Sequence, residues 1–162
     1  MSKQKGFSLI ELLIVVAIIL IIAAIAIPNL LRAKMAANEA SAVQSIKTIN
    51  TAEITYNSSY PTVGYAPQLS NLGGVAPCTP TSTTACLITS DLAAGNKSGY
   101  NFTATGTGGP PAVQYFATGI PVVPNQTGIR SFCSFEDAVI RVQPSGAGIA
   151  SEAACEALQP LQ

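Results

Sequence analysis

The stretch GFSLIELLIVVAIILIIAAIAIPNLL runs from Gly6 to Leu31, and how it is read decides the fold. From Leu12 to Ile27 it is unbroken apolar sequence, with a single carboxylate, Glu11, at its head. Phe7 to Ile27, as a helix, is about 31 Å long at 1.5 Å per residue, enough to span a bilayer core. A lone carboxylate in that position costs roughly 2.5–3.5 kcal/mol at mid-bilayer and less near an interface. Pro28 then interrupts the pattern, and its missing N–H and ring clash predict a break or kink in the preceding turn.

Beyond Pro28 the sequence stays helix-friendly up to Pro61, but its character changes. Ala42, Val43, Ile46, Ile49, Ala52 and Tyr56 recur at three- and four-residue steps, with Gln44, Ser45, Lys47, Asn50 and Glu53 between them. That is an amphipathic stripe, the kind that packs on a globular head. The expected helix is lipid-like over 7–28 and half-buried over 29–57. A head over 58–162 follows, rich in Gly, Pro, Ser, Thr and Asn.

Strand signals come late. Tyr100, Phe102 and Ala104 alternate with polar residues, as do Val113, Tyr115 and Ala117, with GTGGPP at 106–111 as the turn between them. The runs Ile129–Phe135 and Ala138–Val142 flank Glu136–Asp137, which reads as a tight hairpin turn. These runs predict an antiparallel meander of three or four strands within 99–143. The connector 58–98 is long for a compact domain unless stapled or functional. Within it, Ser90–Gly95 reads as a short helical turn. The fold class expected is therefore α+β: a long N-terminal helix packed against a small antiparallel sheet.

Composition narrows the function. Only 10% of the 162 residues are charged and the net charge is zero, so nothing points to a nucleic-acid partner. The chain has no His, the commonest general base and metal ligand. It carries no Ser/His/Asp set and no phosphate loop, and an enzyme is not expected. Four cysteines, Cys78, Cys86, Cys133 and Cys155, lack C-x-x-C spacing and read as disulfides of an oxidising compartment. Three connectivities are open, and Cys78–Cys86 with Cys133–Cys155 is preferred because each closes a local loop; a C-terminal disulfide region would then span 133–155. Glu136, Asp137, Glu152 and Glu156 are too scattered to build the six to eight oxygens of a calcium site, so calcium is only a weak candidate and no cofactor is expected. Four N-x-S/T triplets, at Asn57, Asn96, Asn101 and Asn125, carry little weight in so Thr/Asn-rich a chain. Tyr56, Tyr60 and Tyr65 read as packing the connector onto the helix.

Three readings of the N-terminus compete. A plain signal peptide would use Lys3 and Lys5 and cut near Ala24-Ile25-Ala26, but the apolar run is too long and amphipathic helix continues past the cut. A single-span, non-polymerising membrane-anchored exported protein leaves Glu11 unexplained. The third reading rests on a resemblance. GFSLIE, from Gly6 to Glu11, resembles the N-terminal signal of type IV pilins and type II secretion pseudopilins. In that family a short basic leader ends in Gly and is removed by prepilin peptidase, and the new first residue, often Phe, is N-methylated. The resemblance implies a leader over 1–6, cleavage between Gly6 and Phe7, and methylation of Phe7 by the same peptidase/methyltransferase. It also implies an assembly role for Glu11, whose carboxylate pairs with the Phe7 amine of its own or a neighbouring subunit. Such a pair is satisfied only at the correct stagger, and head-to-tail addition without closure gives an open helical homopolymer. Pro28 matches a proline common in these helices. The implied protein waits in the inner membrane as a single-pass chain with its head outside the cytoplasm. Pilus or secretion machinery then adds it to an extracellular pilus or, alternatively, a periplasmic pseudopilus.

Overall fold

A computed structural model describes residues 7–161 of the chain. It is α+β: one long helix, α1 (Leu9–Ser59), two short helices, α2 (Ser90–Ala93) and α3 (Glu152–Glu156), and a six-stranded antiparallel sheet. The strands are β1 (Asn96–Lys97), β2 (Tyr100–Thr107), β3 (Gln114–Pro121), β4 (Ser131–Phe135), β5 (Arg141–Gln143) and β6 (Gln159–Pro160). They follow one another across the sheet in chain order, so every pairing is between sequence neighbours. The chain divides between Lys34 and Met35 into two units.

In the first unit, residues 9–34 are helical and none is buried. Pro28 lies inside α1, and the expected break does not occur there. The physical reason is local: a proline withholds one N–H from the ladder, while the bonds of the turns on either side remain available.

In the second unit, α1 buries one face. Ala42, Ile46, Ile49 and Tyr56 are essentially inaccessible and pack with Tyr100, Phe102, Ala104, Tyr115, Ala117 and Phe132 of the sheet. Each large apolar side chain so buried contributes roughly 1.5–3 kcal/mol relative to exposure. The opposite face is dressed with hydroxyls: Thr48, Thr51, Thr55, Ser58 and Ser59 donate back to the carbonyls four residues earlier. The helix stops at Ser59, and Tyr60 precedes Pro61, whose ring disfavours helical geometry in the residue before it.

The sheet is longer than the four expected strands, with two-residue strands added at each edge. β2 runs on to Thr107, so its turn to β3 begins at Gly108 instead of Gly106. The β4–β5 link is also looser than a two-residue turn. It spans 136–140, with Asp137 Oδ1 accepting from the Val139 N–H and Ala138 at a positive φ of 57°. β4 is buried along its whole length. Phe132 faces the main core, while Cys133 and Phe135 face a second cluster with Ile149 and Cys155. The sheet is therefore covered on both sides at β4, by α1 and by the C-terminal segment.

Candidate functional site

The candidate assembly element is the apolar half of α1. Its described residues begin at Phe7, which is 80% exposed, and the large apolar side chains from Leu9 to Leu31 are all solvent-facing. This segment is long and apolar enough to cross a membrane, judged by length and composition. Gly6, the implied cleavage residue, lies outside the described residues. At the helix start, Glu11 Oε2 accepts from the Ser8 N–H at 3.4 Å. Ser8 and Glu11 are spaced as in a capping box, where an acid at the third helical position reaches back to the cap residue's N–H. Glu11 therefore has a use within its own chain: it sits at the positive end of the helix dipole and serves an N–H that the helix leaves unpaired. The S-x-x-E pattern of Ser8–Glu11 was the sequence signal for this.

The head is held on α1 by polar groups that the stripe of apolar residues does not show. Glu39 is 7% exposed and takes four donors from one turn of chain. Its Oε1 accepts from the N–H groups of Ile129 (2.8 Å) and Arg130 (3.1 Å), and its Oε2 from Arg130 Nε (2.8 Å) and Nη2 (2.7 Å). Burial acts to raise this carboxyl, but these donors together outweigh it and hold it below the ordinary value. The same β3–β4 link is fixed by Tyr100, whose hydroxyl donates to the Arg130 carbonyl at 2.8 Å. Gly128 makes room for that ring, since a Cβ there would fall on the tyrosine hydroxyl.

Ser45, Asn50 and Glu53, read from sequence as the polar flank of α1, are instead buried. Asn50 Nδ2 donates to Ser134 Oγ (2.9 Å) and to the Ala138 carbonyl (3.2 Å), joining the helix to β4 and its turn. Glu53 Oε2 accepts from the Ala66 N–H at 2.9 Å. The connector, through Ala66, and β4, through Ser134, cover this side of the helix as well as its apolar stripe.

The connector is organised by aromatic rings and sulfur. Tyr56 donates its hydroxyl to the Ser82 carbonyl and packs against Tyr60 with ring centroids 4.9 Å apart and the planes tilted, while Tyr65 packs in the same tilted way at 4.9 Å against Tyr115 of β3. Cys78 is bonded to Cys86 and Cys133 to Cys155, with Cα separations of 6.2 and 6.1 Å. Gly74 lies against the first bond so closely that any Cβ would land on Cys78 Sγ. The second bond ties β4 to α3, which is capped by Ser151 Oγ accepting from the Ala154 N–H.

The four acids weighed for calcium are partly gathered. Gln114 Nε2 donates to Glu136 Oε1 and Glu152 Oε1, each at 3.3 Å, and Asp137 pairs with Arg141 at 2.7 Å. Glu152 is raised by burial first, then by the charges of Glu136, Glu156 and Asp137. Among the described residues no group of three or more His, Cys, Asp or Glu is arranged to hold a metal ion. Of the triplet asparagines, Asn96, Asn101 and Asn125 are exposed and Asn57 is half-buried.

Comparison with known proteins places the N-terminal element. The family model of the prokaryotic N-terminal methylation motif matches residues 1–27. The N-terminus carries this methylation motif. The relatives found are pilins and a pseudopilin. The type IV major pilin protein PilA of Myxococcus xanthus is 38% identical over 79 residues, covering 44% of this chain and 36% of the relative. The type IV wide pilus major component PilA4 of Thermus thermophilus is 64% identical over 39 residues, 24% of this chain and 30% of the relative. The type II secretion system core protein G of Vibrio cholerae is 43% identical over 65 residues, 38% of this chain and 44% of the relative. The matches thus span less than half of each relative's length. No solved structure matches the chain.

Proposed function

We propose that this chain is a structural subunit of a type IV pilus-like filament, polymerised through the first half of α1. The observation that carries the reading is the helix of residues 9–34, apolar and unburied, behind a prepilin-type motif. Apolar area of that extent is covered by lipid before assembly and by copies of itself afterwards. Prepilin peptidase cuts between Gly6 and Phe7 and Phe7 is methylated. The Phe7 amine of one subunit then competes with the Ser8 N–H for Glu11. That exchange lets Glu11 serve the isolated helix first and the filament second. The role is structural and not catalytic. Pro28, with one ladder bond missing, gives the bundled helices a place to stretch.

The test is mass spectrometry on filaments sheared from the native cells, with the envelope as the comparison fraction. A dominant peptide beginning at N-methylated Phe7 in the sheared material supports a pilus subunit. A chain that keeps residues 1–6, or begins at Ile27, overturns the filament reading. A second reading, a type II secretion pseudopilin, is favoured by the similarity to core protein G; the processed peptide would then be confined to the envelope. Glu11→Val should insert in the membrane but polymerise poorly, and normal filament yield would remove Glu11 from assembly.

A further inference from the structure

Two glutamates of α1 are buried, and only one has a cation. Glu39 has Arg130. Glu53 is fully buried, and the groups facing it bear no positive charge. From α1 it meets Tyr56, and Tyr60 packs at a tilt against that ring. From the connector it meets the Ala66 N–H, beside Tyr65. From the sheet it acts on Tyr115 of β3, which is also influenced by Ser134 of β4 and by the charge of Asp137. Among the described residues the ion pairs are Glu39–Arg130 and Asp137–Arg141, neither involving Glu53.

The hydrogen bonding is incomplete in a particular way. Glu53 Oε2 is served by Ala66, but Glu53 Oε1 is buried without a partner. A proton on Oε1 turns an unmatched acceptor into a donor; removing it leaves a buried charge on one N–H. The bond that is present is also a structural joint. Ala66 receives α1 through its N–H and passes the connection to the sheet, its carbonyl accepting from Gly106 of β2 at 2.8 Å. Ala66, Leu69 and Leu72 of this segment are buried against the core. Glu53 is fully buried, and lifting the segment 60–72 would break its bond to the Ala66 N–H.

We propose that Glu53 is a proton-operated latch: as a neutral acid it holds the segment 60–72 closed over α1, and as a carboxylate it lets that segment open to water. Burial pushes its carboxyl up to about 7 against the opposing pull of the Ala66 N–H, so the latch changes state near neutrality. The conformation of this connector is thereby sensitive to the pH of the medium.

The test is hydrogen–deuterium exchange on the full chain in detergent micelles, at about pH 5.5 and about pH 8.5, corrected for intrinsic rates and referred to β4. In the wild type, protection of 60–72 is expected to fall roughly tenfold or more between the two. In Glu53→Gln, which mimics the neutral acid, it is expected to stay constant. No loss in the wild type, or an equal loss in the variant, overturns the latch. If Glu53→Gln does not fold, the protonated-carboxyl infrared band decides, followed in a Glu152→Gln background because Glu152 is also raised. A band surviving to about pH 7 supports the proposal, and its disappearance below about pH 6 overturns it.

Discussion

Residues 9–34 of α1 are the most apolar in the chain, and none is buried; residues 35–59 are far more polar, and ten of them are buried. The two stretches share one helix and one backbone geometry. What differs is whether the rest of the chain supplies a partner. The second stretch meets a sheet, a stapled connector and at least three polar clamps, which cover its apolar stripe and fix Glu39, Asn50 and Glu53. The first stretch has no such cover among the described residues, and the proposed function supplies it as lipid or other subunits. Hydrophobicity alone predicts burial somewhere, and only the partner decides where.

Mutations can break this contrast. The largest effect is expected in the second stretch: Tyr56→Ala removes a fully buried ring and its bond to the Ser82 carbonyl and should destabilise the head by about 3–5 kcal/mol, read by denaturant unfolding in micelles. Replacing both Cys133 and Cys155 by Ala should cost about 3 kcal/mol in the same measurement. The Cys78–Cys86 pair, closing a separation of 8 residues instead of 22, should cost somewhat less.

A pH series sharpens the contrast within the buried stretch, because its two glutamates act in opposite directions. Glu53 is raised, so its contribution is greatest below the unfolded value near 4.5 and is lost as the pH rises through about 7. Glu39 is lowered, so its contribution is present above that unfolded value and lost as the pH falls through its own. Glu53→Gln should therefore match the wild type below about pH 4.5 and exceed it by about 2–3 kcal/mol at about pH 8, with the downward slope between gone. The smallest effect belongs to the first stretch. Ile19→Ala should change head unfolding by less than about 0.5 kcal/mol, although the same substitution at Ile46 would be costly.

The long helix and strands β2 and β3 were legible because period and composition agree there: Ala42 to Tyr56 keep helical steps, and β2 alternates cleanly from Tyr100. β4 hid its register, since a strand covered on both faces shows no alternation. The polar clamps were hidden for a related reason. Glu39, Asn50 and Glu53 look like solvent-facing residues until partners distant in sequence, such as Ile129 and Ser134, close over them. At Pro28 the helix-friendly sequence on both sides prevails, and one helix runs through the proline. At the N-terminus the apolar run and Glu11 drew notice, while the smaller partner of the pair, Ser8, did not.

Both margins of the sheet are two-residue strands. β1 ends in the exposed Lys97, and β6 contains Pro160, which has no N–H to offer a further strand. In the proposed filament, subunits crowded side by side would risk joining sheet to sheet in the wrong register. A charged stub on one margin and a proline on the other make these heads poor templates for amyloid-like stacking, which under that proposal would leave ordered growth to the helix.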